Sequence, residues 1–204
     1  QGYIISKSIL NDKNIKKIKN DLSVKPFILG NRSHMAKTFK IYKENEDKFC
    51  LPKYYGIKNF GQPDLTDFNE SKEINLNFHG DLRDYQKKVV DTVIPKIKNQ
   101  EGGTISLPPG RGKTVIACNI ISKLKTKTLV VVHKTFLLNQ WKNRIEYFLP
   151  NSKVGIIQGK NIDVDDKDIV IGMLQTLSLK DDYPDDVFDD FGCIIFDECH
   201  HLSA

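Results

Sequence analysis

Apolar residues recur at helical spacing in four stretches of the chain, with short continuous apolar runs between them. Asn11–Asp21 carries Ile15 and Ile18 on one face and lysines opposite, the pattern of a short amphipathic helix. Thr38–Tyr42 alternates apolar and polar residues as a strand does, and Lys48–Tyr55 predicts a second strand. Phe60–Asn77 contains Gly61, Pro63 and several acids but few periodic apolar positions, so it reads as a linker. From Leu82 the pattern changes. Leu82–Ile97 predicts a helix with Val89, Val90, Val93, Ile94 and Ile97 on its apolar face, broken at Gly102-Gly103. Thr104–Leu107 predicts a short buried strand, Pro108–Gly112 a tight loop and Lys113–Leu124 a second helix. Lys127–His133 is nearly all apolar, as a parallel strand covered on both faces should be. Phe136–Phe148 predicts a further helix, and Lys153–Ile157, Asp168–Gly172 and Cys193–Asp197 further strands.

Strands and helices in this alternation predict an α/β fold with a doubly wound parallel sheet. The expected organisation is a small mixed α/β domain over residues 1–60, a linker over 61–77 and a larger α/β domain over 78–204.

Composition narrows the class. With 39% hydrophobic and 28% charged residues, the chain matches an ordinary globular protein. No apolar run approaches the roughly 18 residues that would cross a bilayer, so no membrane partner is expected. Cys50, Cys118, Cys193 and Cys199 are scattered without a C-x-x-C pair, which argues against a cysteine zinc site or a disulfide framework. The net charge of +5 is unevenly placed. Residues 1–75 hold 14 lysines and arginines against nine acids, and the remainder is balanced. A basic segment attracts polyanions such as nucleic acid, although a solvated lysine-rich face has the same composition.

Two segments carry chemistry. Leu107-Pro108-Pro109-Gly110-Arg111-Gly112-Lys113-Thr114 follows a predicted strand and opens a predicted helix. Glycines let such a loop fold tightly, so that backbone N–H groups and the helix N-terminus converge on phosphate oxygens. Lys113 is then the candidate to meet the β- and γ-phosphates, and the Thr114 hydroxyl a candidate magnesium ligand. Pro109, Gly110, Arg111 and Gly112 complete the candidate nucleotide loop, which has Leu107 where the general motif has a small residue. The second segment, Ile194-Ile195-Phe196-Asp197-Glu198-Cys199-His200, delivers two carboxylates at the end of a buried strand, the sheet edge where α/β proteins bind ligands. Asp197 suits a role toward magnesium and Glu198 toward the attacking water. ATP and Mg2+ are the expected cofactors.

Gly110-Arg111-Gly112-Lys113-Thr114 and Asp197-Glu198-Cys199-His200, about 85 residues apart, resemble motifs I and II of superfamily 2 helicases of the DEAD/DEAH type. The resemblance covers about residues 80–204 and implies a RecA-like first motor domain. Leu82-Arg83-Asp84-Tyr85-Gln86 is similar to the segment ahead of motif I, which implies that Gln86 reads the adenine edge. Val130–Trp141 resembles motif Ia and its helix, implying that Lys134 and Thr135 meet the nucleic-acid backbone, while Gln140 and Trp141 pack the helix. Gly172–Leu177 resembles the next strand end, where Thr176, and more weakly Gln175, would border the nucleic-acid track, with Gly159 near it. His200 would couple the nucleotide site to a second motor domain or pack. The Leu-Arg-x-Tyr-Gln segment and the DECH variant look most similar to nucleotide-excision-repair helicases and to helicases of large cytoplasmic DNA viruses, among them the poxvirus transcript-release helicase. Pro26-Phe27, Phe39–Tyr42 and Leu51–Gly56 resemble the short leading domain of the viral proteins.

The expected function is therefore that of the ATP-binding part of an ATP-dependent nucleic-acid helicase or translocase, acting on DNA, RNA or both. Cytoplasmic or virion-associated work is expected, with a nuclear setting also open. The chain starts at Gln1 and stops four residues past His200, before the Ser-Ala-Thr motif and the second RecA-like domain that the resemblance implies. A fragment with weak hydrolysis of its own and an unpaired sheet edge is the expectation. Two other readings stand beside it: a translocase on duplex DNA that does not separate strands, and a nucleic-acid-binding module that keeps its nucleotide site as a switch.

Overall fold

The computed structural model describes residues 2–25, 38–65, 71–99, 102–179 and 186–200. Two compact units, Gln1–Phe68 and Asn69–Ser203, divide the chain.

In the first unit, β1 (Tyr3–Ser6) leads through a single 3-10 turn into α1 (Asp12–Asp21), β2 (Ser23–Val24), β3 (Phe39–Lys40), β4 (Lys43–Glu44), β5 (Lys48–Leu51) and α2 (Lys53–Phe60). The Asn11 side chain caps α1 by accepting from the Asn14 N–H at 2.8 Å, which satisfies one of the free donors of the first turn. Ile18 is fully buried on the inner face of α1, against Tyr3, Ile5, Leu22, Tyr42, Phe49 and Leu51. β1, β5 and β4 form an antiparallel sheet, and β2 pairs with β3. Of the stretch expected as one strand over Lys48–Tyr55, only Lys48–Leu51 is strand, and Lys53 opens a helix. Pro52 is the reason: it has no N–H to extend a ladder, and its fixed φ suits the start of a helix. Pro26-Phe27 lies outside the described residues.

The second unit holds α3 (Asp84–Lys98), α4 (Lys113–Leu124), β6 (Thr128–Val132), α5 (Thr135–Phe148), β7 (Val154–Gln158), β8 (Asn161–Ile162), β9 (Ile169–Met173), α6 (Leu174–Leu177) and β10 (Cys193–Phe196). The sheet runs β10-β6-β9-β7-β8, parallel throughout except for β8. Every residue of β6 and β9 is buried, which explains their unbroken apolar runs. Val130, Val132, Ile169 and Ile171 face Ile121, Leu138, Trp141 and Ile145. Leu129, Val131, Val170 and Ile157 form the core of the opposite face, with Leu174, Leu177 and Phe191 packed against it.

Two segments depart from the sequence reading. Thr104–Leu107 forms no strand among the described residues. The edge of β10 away from β6 stays unpaired among the described residues. Ile105 and Leu107 instead pack against Val90, Ile116 and Ile120 of α3 and α4. Residues 71–77, expected as the end of a linker, pack in this unit: Ile74 and Leu76 are in its core. The Ile74 N–H donates to the Lys125 carbonyl at 3.0 Å and the Lys127 N–H to that of Lys72 at 2.9 Å. Two apolar residues in a polar stretch are too few to show a period, yet enough to anchor it. Among the described residues β10 is an edge strand, with Ile194 55% and Phe196 43% exposed.

Candidate nucleotide site and strand-end interface

The loop before α4 turns on two glycines in the left-handed region, Gly110 at φ 76° and Gly112 at φ 72°. A Cβ at Gly112 would stand 2.6 Å from Gln86 Nε2, so this position excludes side chains twice over, by backbone conformation and by contact. Gln86 is 5% exposed. Its Oε1 accepts from the Arg83 N–H at 2.9 Å, and its Nε2 donates to the Arg111 carbonyl at 3.2 Å. Tyr85 Oη donates to the same carbonyl at 3.0 Å, and the Arg111 guanidinium lies 5.6 Å from the Tyr85 ring centroid. The start of α3 thus clamps the loop. Gln86, expected to read adenine, has both ends of its amide engaged with protein, with one N–H hydrogen left over. Tyr85 was legible only as part of the Leu-Arg-x-Tyr-Gln segment, and its grip on the loop was not.

The N-terminus of α4, at Lys113, has no side-chain cap, so its first-turn N–H groups are open to an anion as the helix dipole favours. Across from it, β10 ends in Asp197, whose N–H donates to the Val131 carbonyl at 3.0 Å. Glu198 follows at φ 54°, a conformation costly for a residue with a side chain and concentrated at functional sites. Lys113 Nζ lies 3.7 Å from Glu198 Oε1, and His200 Nδ1 3.4 Å from Glu198 Oε2. The two motifs are therefore brought together, as expected. Trp141 Nε1 donates to Asp197 Oδ2 at 2.8 Å, a contact that the helix-packing reading of Trp141 missed. Val131, Val132, His133, Leu174, Phe196, Asp197 and Glu198 line a small cavity at these strand ends.

The donor set suits a magnesium-bound nucleotide. Among the described residues no group of three or more histidines, cysteines or acids could hold a metal alone. Magnesium does not require one, because it is commonly held by one or two protein ligands together with substrate phosphates. Asp197 and Thr114 carry oxygens of the kind such a site uses. Burial pushes the Cys118 thiol up to about 12 and that of Cys193 up to about 11, so neither is a ready thiolate ligand.

A family model described as type III restriction enzyme, res subunit, matches residues 79–204. The chain belongs to that family. The chain is similar to a protein of Acanthamoeba polyphaga mimivirus provisionally named an ATP-dependent RNA helicase, 39% identical over 208 residues, covering all of this chain and 40% of the relative. A similarly named protein of African swine fever virus is 33% identical over 129 residues, covering 60% of this chain and 25% of the relative. A protein of Halobacterium salinarum, provisionally named the DNA 3'-5' helicase Rad25, is 31% identical over 145 residues, covering 69% of this chain and 23% of the relative. The chain thus spans less than half the length of these relatives. The SWI2/SNF2 ATPase core of Sulfolobus solfataricus, solved with double-stranded DNA, superposes with a TM-score of 0.53 at 22% identity, covering 66% of this chain and 29% of that one. It shows the same fold. The chain accordingly carries a superfamily 2 helicase-type domain with a RecA-like parallel sheet.

The remaining candidates lie at the ends of neighbouring parallel strands. Lys134 and Thr135 follow β6, Gly159 follows β7 and Thr176 sits in α6 after β9. Lys134, Thr135 and Gly159 are exposed. Lys134 Nζ is 6.0 Å from the ring centroid of Phe136, itself 62% exposed. Thr176 is only 8% exposed, and its Oγ1 accepts from the Gly159 N–H at 3.0 Å. Its hydroxyl holds the Gly159 turn, which has φ 57°. Gln175 Nε2 donates to the His133 carbonyl at 2.8 Å.

Proposed function

We propose that this chain binds ATP with magnesium between the Gly110–Thr114 loop and the end of β10. Within a longer protein, it would drive movement along a nucleic-acid strand. The observation that carries this reading is the 3.7 Å approach of Lys113 to Glu198, which joins phosphate loop and acid pair across the sheet. Lys113 is the counter-charge for the β- and γ-phosphates. Thr114 and Asp197 would hold the magnesium, which supplies neutralisation of phosphate charge when bound. Glu198 orients the attacking water and takes its proton as water oxygen bonds to the γ-phosphorus, the bond to the β–γ bridging oxygen breaks, and ADP leaves. Gln86 supports the loop through its Arg111 contact and offers its remaining N–H hydrogen toward the base. His200 restrains Glu198 from its other oxygen.

Titration of Mg·ATP into the folded chain tests the nucleotide reading. Saturable binding at one site is expected, and a folded chain without it would sink the proposal.

The exposed strand ends carrying Lys134, Thr135 and Gly159 form the proposed nucleic-acid track, with Thr176 shaping it from beneath. The names of the viral relatives favour RNA and that of the archaeal relative DNA. On this reading the setting is the cytoplasm or the virion, which the viral relatives support. Among the described residues no helix is long and apolar enough to cross a membrane. Lys134→Ala is expected to weaken binding of unrelated oligonucleotide sequences equally and to lower the slope of log affinity against log salt by about 1. An unchanged slope would remove Lys134 from the track.

A further inference from the structure

Trp141 is the chain's single tryptophan. It lies on α5 and is 3% exposed. Its ring is packed among Ile121, Leu138, Ile145 and Val132, so the direction of its N–H is set by the core. An indole can only donate, and a buried one needs an acceptor. The acceptor here is Asp197 Oδ2 at 2.8 Å.

The geometry points to Trp141 as a positioning residue for magnesium. It occupies Oδ2 of Asp197 and thereby fixes the carboxylate, leaving Oδ1 for the magnesium or one of its waters. Volume alone would be served by phenylalanine; the N–H is what the carboxylate uses. A carboxylate at the end of a strand otherwise turns freely about its side-chain bonds, and holding it in one rotamer removes that entropy cost before the ion arrives. This inference rests on the nucleotide reading above.

The test is Trp141→Phe, with ATP affinity measured in EDTA and across a magnesium series. Affinity for metal-free ATP, set by the loop and Lys113, is expected to be unchanged. The magnesium concentration at half-saturation is expected to rise roughly tenfold, the usual scale for losing a partner of a metal ligand. A purely structural role would move both affinities together. Magnesium half-saturation within twofold of the unaltered chain would overturn the inference. If Trp141→Phe does not fold, the unaltered chain decides: adding magnesium to its ATP complex is expected to shift the emission of Trp141, and an emission blind to magnesium would overturn it. Failure of the nucleotide reading is distinct, because the unaltered chain would then bind no ATP at all.

Discussion

Glu198→Gln is expected to lower ATP turnover by roughly 10²- to 10⁴-fold, the usual contribution of a positioned general base, while leaving Mg·ATP affinity equal or higher. The amide keeps the size and much of the hydrogen bonding of the carboxylate but cannot accept the proton of the attacking water. The affinity half of the expectation comes from the ion pair. Lys113 Nζ faces Glu198 Oε1 at 3.7 Å, so the carboxylate competes with phosphate for the same cation. Neutralising it frees Lys113. The measurement is parallel turnover and binding on both proteins. A variant that turns over at more than a tenth of the original rate would remove Glu198 as the base, and a variant that loses affinity would show that Glu198 supports binding instead.

Lys113→Ala is expected to do the reverse and remove binding itself. Truncating one member of a hydrogen-bonded charge pair costs about 2–5 kcal/mol. The Lys113 side chain is 39% exposed, so water screens part of the interaction and the lower part of that range applies, about 2–3 kcal/mol or roughly 30- to 150-fold in Kd. The loop itself should survive, because Gln86 and Tyr85 hold it through the Arg111 carbonyl, at 3.2 and 3.0 Å, and neither contact involves Lys113. Titration with a fluorescent ATP analogue checks this, alongside circular dichroism to show that the variant is folded. A change in Kd below about threefold would mean that Lys113 does not meet the phosphates. The two substitutions are complementary, since one keeps binding without turnover and the other loses binding from an intact fold.

The sheet was legible from the chain because its strands are buried on both faces. Continuous apolar runs such as Thr128–Val132 and Ile169–Met173 have no other soluble use at that length. The phosphate loop and the carboxylate pair were legible because their chemistry is local: glycines beside a lysine and a hydroxyl, and acids directly after an apolar strand. What depended on contact at a distance was not legible. Thr104–Leu107 has the composition of a strand, but composition does not say what a segment packs against: Ile105 and Leu107 lie against α3 and α4, and the outer edge of β10 stays unpaired among the described residues. Ile74 and Leu76 look like stray apolar residues until the core of the second unit closes over them. Lys127 opens the predicted strand with nothing in the sequence to show what holds its charge; it is 2% exposed, bound to Asp190 at 2.8 Å and to the Val164 carbonyl at 2.9 Å. Its partners lie 63 and 37 residues away. Trp141 and Asp197, separated by 56 residues, meet at 2.8 Å for the same reason. By itself, then, the sequence determined the elements and the chemical groups, because periodicity and motif are properties of neighbouring residues. Only the tertiary structure decided which of those groups are pointed, and by what, because a hydrogen bond between distant positions leaves no trace in the order of residues along one chain.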